Sequence, residues 1–115
     1  MFKKVAAVFL LFLASCGPAP QKGADGYTFG DKQYEKTTVQ VNIVTYKSQA
    51  ALQKALGNRA GVDASNVVAF SVLKPPFDTC TVHMVDPSIS YKPEFVGHEF
   101  LHCTYGQWHK NNSSF

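Results

Sequence analysis

The first 36 of the 115 residues carry no pattern that could build a hydrophobic core, and this limits the size of the fold. Two lysines and an unbroken run of ten apolar residues predict a targeting segment at residues 1–15. Because ten residues span only about half of a bilayer as a helix, a transmembrane anchor is the weaker interpretation. Residues 17–36 are rich in glycine, proline and polar side chains, which predicts a flexible tether, with a binding strand over residues 27–34 as the alternative. Residues 37–115 remain for one small domain.

The end of the targeting segment carries a short motif. Residues 13–16 read Leu-Ala-Ser-Cys and resemble the lipobox of bacterial lipoproteins. The resemblance implies cleavage before Cys16, a lipid on its sulfur, and a tether over residues 16–36 that starts at the membrane. The next residue is Gly17 and not aspartate, which resembles the pattern of lipoproteins that are sent to the outer membrane of Gram-negative cells. The resemblance therefore implies a location in the bacterial cell envelope, lipid-anchored in the outer membrane and facing the periplasm.

Composition and charge exclude two classes of protein. Hydrophobic residues make up 45% of the chain and charged residues 17%, which suits a folded domain and excludes a disordered polymer. The net charge is +3, and loss of Lys3 and Lys4 with the targeting segment leaves +1. A charge this small, without a basic cluster, argues against nucleic acid as a partner.

Three segments have the patterns of β-strands. Residues 38–46 alternate β-branched or aromatic residues with polar ones. Residues 67–73 and 79–85 are apolar runs, separated by the chain-breaking pair Pro75 and Pro76. These patterns predict a small three-stranded sheet.

Two helices are predicted around this sheet. Ser48 can cap a first helix that ends at Gly57, and Pro93 suits the first turn of a second. The second helix runs to about Tyr105, where Gly106 can end it with a positive φ. The predicted fold is therefore α+β, with one helix backing the sheet and one helix carrying the candidate site.

The second helix contains an HExxH motif formed by His98, Glu99 and His102. Residues four apart on a helix differ by about 40° in direction and ~6 Å in height, so both imidazoles can bind one ion. Zinc accepts neutral imidazoles and activates water, for which the glutamate can act as general base. The apolar stripe of this helix points elsewhere and consists of Phe95, Val96, Phe100 and Cys103. We therefore expect the two histidines to face solvent or a cleft, as zinc ligands or as an idle solvated pair.

A third ligand is needed, and few residues are available. No Asp or Glu follows Glu99, and His109 is the one histidine after the motif. On a continuous helix His109 would lie ~10.5 Å beyond His102, too far to share an ion. Gly106 can let the chain reverse and bring His109 back. The alternatives are His83 or a second water.

Residues 98–109 resemble the zincin superfamily of metallopeptidases, in a metzincin-like variant. The predicted order of strand, helix, strand, strand, helix is similar to the minimal zincin core. The chain differs from the metzincin pattern in having three residues, not two, between the second histidine and Gly106, and it has no Met-turn. The resemblance implies Zn²⁺ as cofactor and a peptide or protein substrate, which we expect to lie beside the third strand.

The remaining cysteines suggest a disulfide. With Cys16 assigned to lipid, Cys80 and Cys103 form a pair in an exported, oxidising compartment. Cys103 as a zinc ligand is the rival interpretation, but its direction on the helix is 100° or more from His102 and His98.

Tyr105 is the predicted oxyanion-stabilising residue, since it lies near the histidine face of the helix. Tyr91 and His83 are further candidates, and Trp108 is predicted to anchor the C-terminal turn.

The sequence as a whole predicts a lipid-anchored, zinc-dependent hydrolase of the cell envelope, a small metallopeptidase with Glu99 as general base. The alternative is a non-catalytic envelope lipoprotein that binds metal or a protein partner. A purely structural exported domain is the third possibility.

Overall fold

A computed structural model describes residues 21–57 and 64–109. Its elements follow the predicted order, with strand starts two residues later than expected for the first two strands. They are β1 (Gln40–Tyr46), α1 (Gln49–Leu56), a short 3₁₀ turn (Ala64–Asn66), β2 (Ala69–Leu73), β3 (Thr79–Val85) and α2 (Pro93–Tyr105). The predicted α+β fold with a three-stranded sheet and two helices is confirmed.

The three strands form a mixed sheet in the order β1-β3-β2. β1 runs parallel to β3, and β2 runs antiparallel to it. Because β3 is central and paired on both sides, the expectation that a peptide adds beside the third strand is wrong. The edges of the sheet are β1 and β2.

The two helices cover opposite faces of the sheet. Leu52 and Leu56 of α1 pack on Phe70. Cys103 of α2 packs with Cys80 and Val82 on the other face. Side chains alternate between the faces of a strand, so the apolar runs of β2 and β3 supply both cores.

The predicted helix ends are present. Ser48 Oγ accepts a hydrogen bond from the Ala51 amide at the start of α1, and Gly57 follows its end with φ 68°. Pro93 stands in the first turn of α2, and Gly106 follows its last residue with φ 71°. The Gly106 amide donates to the His102 carbonyl, which closes the last turn of the helix.

The predicted disulfide between Cys80 and Cys103 is also present, with Cα atoms 5.6 Å apart. Both residues are buried. The bond joins the central strand to the helix that carries the candidate site, so it fixes the height of that helix on the sheet.

Replacing Cys80 and Cys103 together by serine is expected to lower the free energy of unfolding by about 3 kcal/mol, because the loop closed by the bond becomes free in the unfolded chain. Urea unfolding of the oxidised and double-variant proteins measures this difference. An unfolding free energy equal to that of the parent would show that the bond does not stabilise the fold.

Residues 21–36 differ from the flexible tether that the sequence predicts, because they pack along the C-terminal end of α2. The amides of Gln33 and Tyr34 donate to the Tyr105 carbonyl, and the Lys36 amide donates to the Thr104 carbonyl. The last carbonyls of a helix have no partner within the helix, and this segment provides partners for two of them. The predicted targeting segment and Cys16 lie outside the described residues.

No helix within the described ranges is both long and apolar enough to span a bilayer.

Candidate metal centre

Three histidine side chains converge beside the end of α2. The Nε2 atoms of His98, His102 and His109 lie 3.1 Å from one another in all three pairs. All three side chains are buried. Within the described part of the chain this is the one group of His, Cys, Asp or Glu side chains whose geometry could hold a metal ion.

Local backbone structure explains why the histidines meet. α2 places His98 and His102 one turn apart on the same side. Gly106 then redirects the chain with φ 71°, and His109 returns to the helix three residues later. A side chain at Gly106 would also lie 2.5 Å from Gln33 Oε1, so this position has no room for a Cβ.

Hydrogen bonds on the far side of two imidazoles fix which nitrogen carries the proton. His98 Nδ1 lies 2.7 Å from Asp25 Oδ2, and His102 Nδ1 lies 2.7 Å from the Gly106 carbonyl oxygen. A carboxylate and a carbonyl only accept hydrogen bonds, so Nδ1 donates in both rings. The Nε2 atoms of His98 and His102 therefore face each other with lone pairs. A cation between them would turn this repulsion into attraction.

The distances agree with the size of a zinc site. Four ligand atoms ~2.0–2.1 Å from an ion at the corners of a tetrahedron are ~3.3–3.4 Å apart. The three nitrogens are 3.1 Å apart, close to that spacing. Three neutral imidazoles are a ligand set that zinc and other first-row divalent ions accept. The residues present therefore fit a metal ion of this class.

Burial also keeps the imidazoles neutral. It lowers the pKa of His98, although the hydrogen bond that His98 Nδ1 donates to Asp25 opposes the shift, and it lowers the pKa of His109. Burial, with repulsion from the other two histidines, lowers the pKa of His102 to about 4, although the Gly106 carbonyl opposes the shift. Neutral imidazole is the form that binds metal, so little proton release is needed at pH 7.

The expectation that His98 and His102 face solvent or a cleft is wrong. His98 is 4% exposed and His102 is 2% exposed. The cover comes from rings outside the helix: Tyr27 lies 4.5 Å from the ring centre of His98, and Trp108 lies 4.7 Å from it on another side. The angular positions on the helix correctly separated the histidines from the apolar stripe. They could not show that the N-terminal segment packs over the histidine face of the helix.

Asp25 is the site residue that sequence reasoning missed. It lies 73 residues before His98 and in a segment without periodicity, so no local pattern connects the two. Its Oδ1 also accepts the Tyr27 amide, which closes the turn that places Tyr27 over the histidines. A carboxylate that orients a metal-binding histidine in this way raises the basicity of the ligand.

Replacing Asp25 by asparagine is expected to weaken zinc binding by about tenfold, because the negative charge behind His98 disappears while the size of the side chain is kept. Competition with a chromophoric zinc chelator measures the affinity. Asp31 in the same segment is the matched control, since Asp31→Asn changes an exposed carboxylate outside the histidine group. Equal affinities of the two variants would argue against Asp25 as a positioning residue.

Glu99 is buried between α2 and the sheet, with an exposed fraction of 2%. Its Oε1 accepts a hydrogen bond of 2.9 Å from Ser71 Oγ on β2. Burial raises the pKa of Glu99 to about 8, although the bond from Ser71 acts in the opposite direction. A divalent cation bound to the neighbouring His98 would favour the charged carboxylate and so lower the pKa of Glu99. No pattern in the sequence points to Ser71 as a partner of Glu99.

The other residues predicted for the site lie elsewhere. The Tyr105 ring contacts Phe29, with centroids 5.5 Å apart, and Lys32 Nζ lies 5.3 Å from its centre. Tyr91 is exposed. His83 stacks on Phe70 and its Nδ1 lies 2.8 Å from the Tyr46 hydroxyl, on the α1 side of the sheet. Of the two histidines considered as third ligand, His109 therefore joins the group and His83 does not.

Trp108 has two roles: its ring covers part of the histidine group, and it anchors the C-terminal turn, as predicted. Its ring stacks on Phe29 at 5.2 Å and also faces His102 at 5.4 Å. The Trp108 carbonyl accepts the Gly30 amide, which fixes the end of the chain to the N-terminal segment. Trp108 therefore covers part of the histidine group and is itself held by the N-terminal segment.

Comparison with known proteins adds no family to this description: no family model, curated protein or solved structure matches the chain. The class that the fold and the site define is a small α+β domain with a three-histidine group that could hold a metal ion.

Proposed function

We propose that this protein is a lipid-anchored, zinc-dependent hydrolase of the bacterial cell envelope, of the metallopeptidase type. The observation that supports it most is the group of three Nε2 atoms 3.1 Å apart, two of them fixed as lone-pair donors by Asp25 and the Gly106 carbonyl. Glu99 directly follows one ligand, as general-base chemistry in an HExxH motif requires.

In the proposed hydrolysis each residue around the histidine group has a separate role. A bound zinc ion would supply a Lewis acid and would lower the pKa of a water molecule that it binds. Ser71 Oγ donates to Oε1 of Glu99 and so holds the carboxyl in one orientation. Oε2 would then be the atom that accepts a proton from the attacking water and gives it to the leaving group. Tyr27 and Trp108 keep bulk water away from the imidazoles.

A non-catalytic metal-binding lipoprotein is the second candidate, and burial favours it. The three histidines and Glu99 are at most 7% exposed, whereas a peptidase needs access for its substrate. The two candidates differ in one property, since only the hydrolase turns over a substrate.

Turnover of a quenched fluorescent peptide library by the zinc-loaded protein tests the proposal. We expect cleavage that stops on chelation and returns with added zinc. Stoichiometric zinc binding without cleavage of the library would favour the non-catalytic candidate.

The anchoring part of the proposal depends on Cys16 alone. Replacing Cys16 by serine should move the protein from the membrane fraction to the soluble fraction, because two or three acyl chains hold a lipoprotein almost irreversibly. Mass spectrometry of the native protein should show a chain that begins with a diacylglyceryl-modified Cys16. An unmodified cysteine in the native mature chain would contradict the lipid anchor.

A further inference from the structure

A cavity of about 280 Å³ opens beside the N-terminal ends of both helices. Its lining is mostly apolar and includes Ala69 of β2, Met84 and Val85 of β3, and Phe95 and Val96 of α2. None of the three histidines of the metal centre belongs to this lining. The cavity is therefore a second site, separate from the proposed hydrolase chemistry.

Positive charge is concentrated at the rim of this cavity. Lys47 and Lys92 both line it: Lys47 lies one residue before Ser48, the N-cap of α1, and Lys92 is the N-cap of α2. The N-terminal ends of α1 and α2 also point their positive dipole ends toward this side. At α2 the N-cap residue Lys92 makes no side-chain capping bond. The amides of Phe95 and Val96 donate to the Lys92 carbonyl, and Pro93 has no N–H, so Glu94 has the one amide of the first turn that such a cap could have bound.

Acidic side chains lie near the cavity but not in its lining. Among the described residues no Asp or Glu lines it, and Glu94 stands in the first turn of α2 with an exposed side chain. Asp86, which follows the end of β3, already accepts hydrogen bonds from the amide and hydroxyl of Ser88. Within the described ranges neither Lys47 nor Lys92 forms an ion pair, since the pairs there are Lys32–Glu35 and His98–Asp25.

We infer that this cavity binds an unbranched alkyl carboxylate of about ten carbons. The apolar floor offers contact for the chain, and the two lysines with the two helix ends offer charge for the carboxylate. An apolar cavity of ~150 Å³ holds benzene with its six carbons, so a cavity of about 280 Å³ has room for a chain of about ten carbons. A neutral ligand of the same shape would leave the positive rim without a partner, and a cation would be repelled by it.

The probe for this inference is decanoate, added to protein labelled with ¹³C in its methionine methyl groups. The chain has two methionines, of which Met1 belongs to the predicted targeting segment and Met84 lines the cavity, so the mature protein should give one methionine signal, that of Met84. We expect a saturable shift of the Met84 signal with a Kd on the order of 0.1 mM. Decanol, which lacks the charge, should bind at least tenfold more weakly.

The lysines provide the variants. Lys47→Gln and Lys92→Gln should each weaken decanoate binding by about fivefold, which is the usual upper effect of one exposed charge pair. Lys54→Gln is the matched control, since Lys54 lies at the other end of α1 and outside the lining. All three residues are exposed, so these variants should fold. A Met84 signal that does not move, or decanoate binding that is unchanged in both lysine variants and equal to that of decanol, would overturn the inference.

Discussion

Replacing His102 by alanine is expected to reduce zinc affinity by at least a hundredfold. Structural zinc sites are worth ~10–16 kcal/mol shared among about four ligands, so the loss of one ligand costs ~3 kcal/mol or more. His102 is also firmly held, since its Nδ1 donates to the Gly106 carbonyl and the residue is 2% exposed. Equilibrium competition with a chelator of known affinity measures the change.

The other histidines provide controls for this prediction. His98→Ala and His109→Ala should lose zinc affinity to a similar degree, because all three nitrogens have the same spacing. His83→Ala is the matched control, since this histidine contacts Phe70 on the opposite side of the sheet and should keep the parent affinity. A His102→Ala protein that binds zinc as tightly as the parent would contradict the ligand assignment.

Replacing Glu99 by glutamine should reduce peptide hydrolysis by about a hundredfold or more and leave zinc in place. The amide has the size of the carboxyl and can still accept the hydrogen bond from Ser71, but it cannot take a proton. Initial rates on the best library peptide, with zinc content measured on the same samples, separate loss of chemistry from loss of metal.

Glu94→Gln is the control for this change, because Glu94 is an exposed carboxylate in the first turn of the same helix. It should turn over substrate at the parent rate. A zinc-loaded Glu99→Gln protein with parent activity would eliminate the general-base role and, with it, the hydrolase mechanism proposed above.

Features that depend on residues close together in the sequence were predictable. Pro93 and Gly106 mark the ends of α2 because each acts on its own turn of the helix. His98 and His102 meet because four residues make about one turn. The turn at Gly106 then made His109 the best third ligand, and the structure brings it to the other two.

Features that depend on distant contacts were not predictable. Asp25 and Ser71 reach the site from a loop and from another strand, and neither position carries a pattern that points to α2. The burial of the histidines depends on Tyr27, which lies in a segment of tether-like composition. That composition is equally compatible with a segment that packs on free helix carbonyls, because such packing uses backbone amides and few apolar side chains.

The order of the strands in the sheet could not be predicted from the sequence either. The patterns identify three strands but do not say which is central, since all three contain apolar residues. The structure places β3 in the centre, with β1 parallel to it on one side and β2 antiparallel to it on the other.

The central claim is that three histidines hold one zinc ion. X-ray absorption at the zinc edge, on protein dialysed against a small excess of zinc, tests it most directly. The account predicts one zinc per chain with three imidazole nitrogens at ~2.0–2.1 Å and no sulfur ligand. A protein that retains no stoichiometric zinc, or a spectrum that shows sulfur or fewer than three imidazoles around the ion, would contradict it.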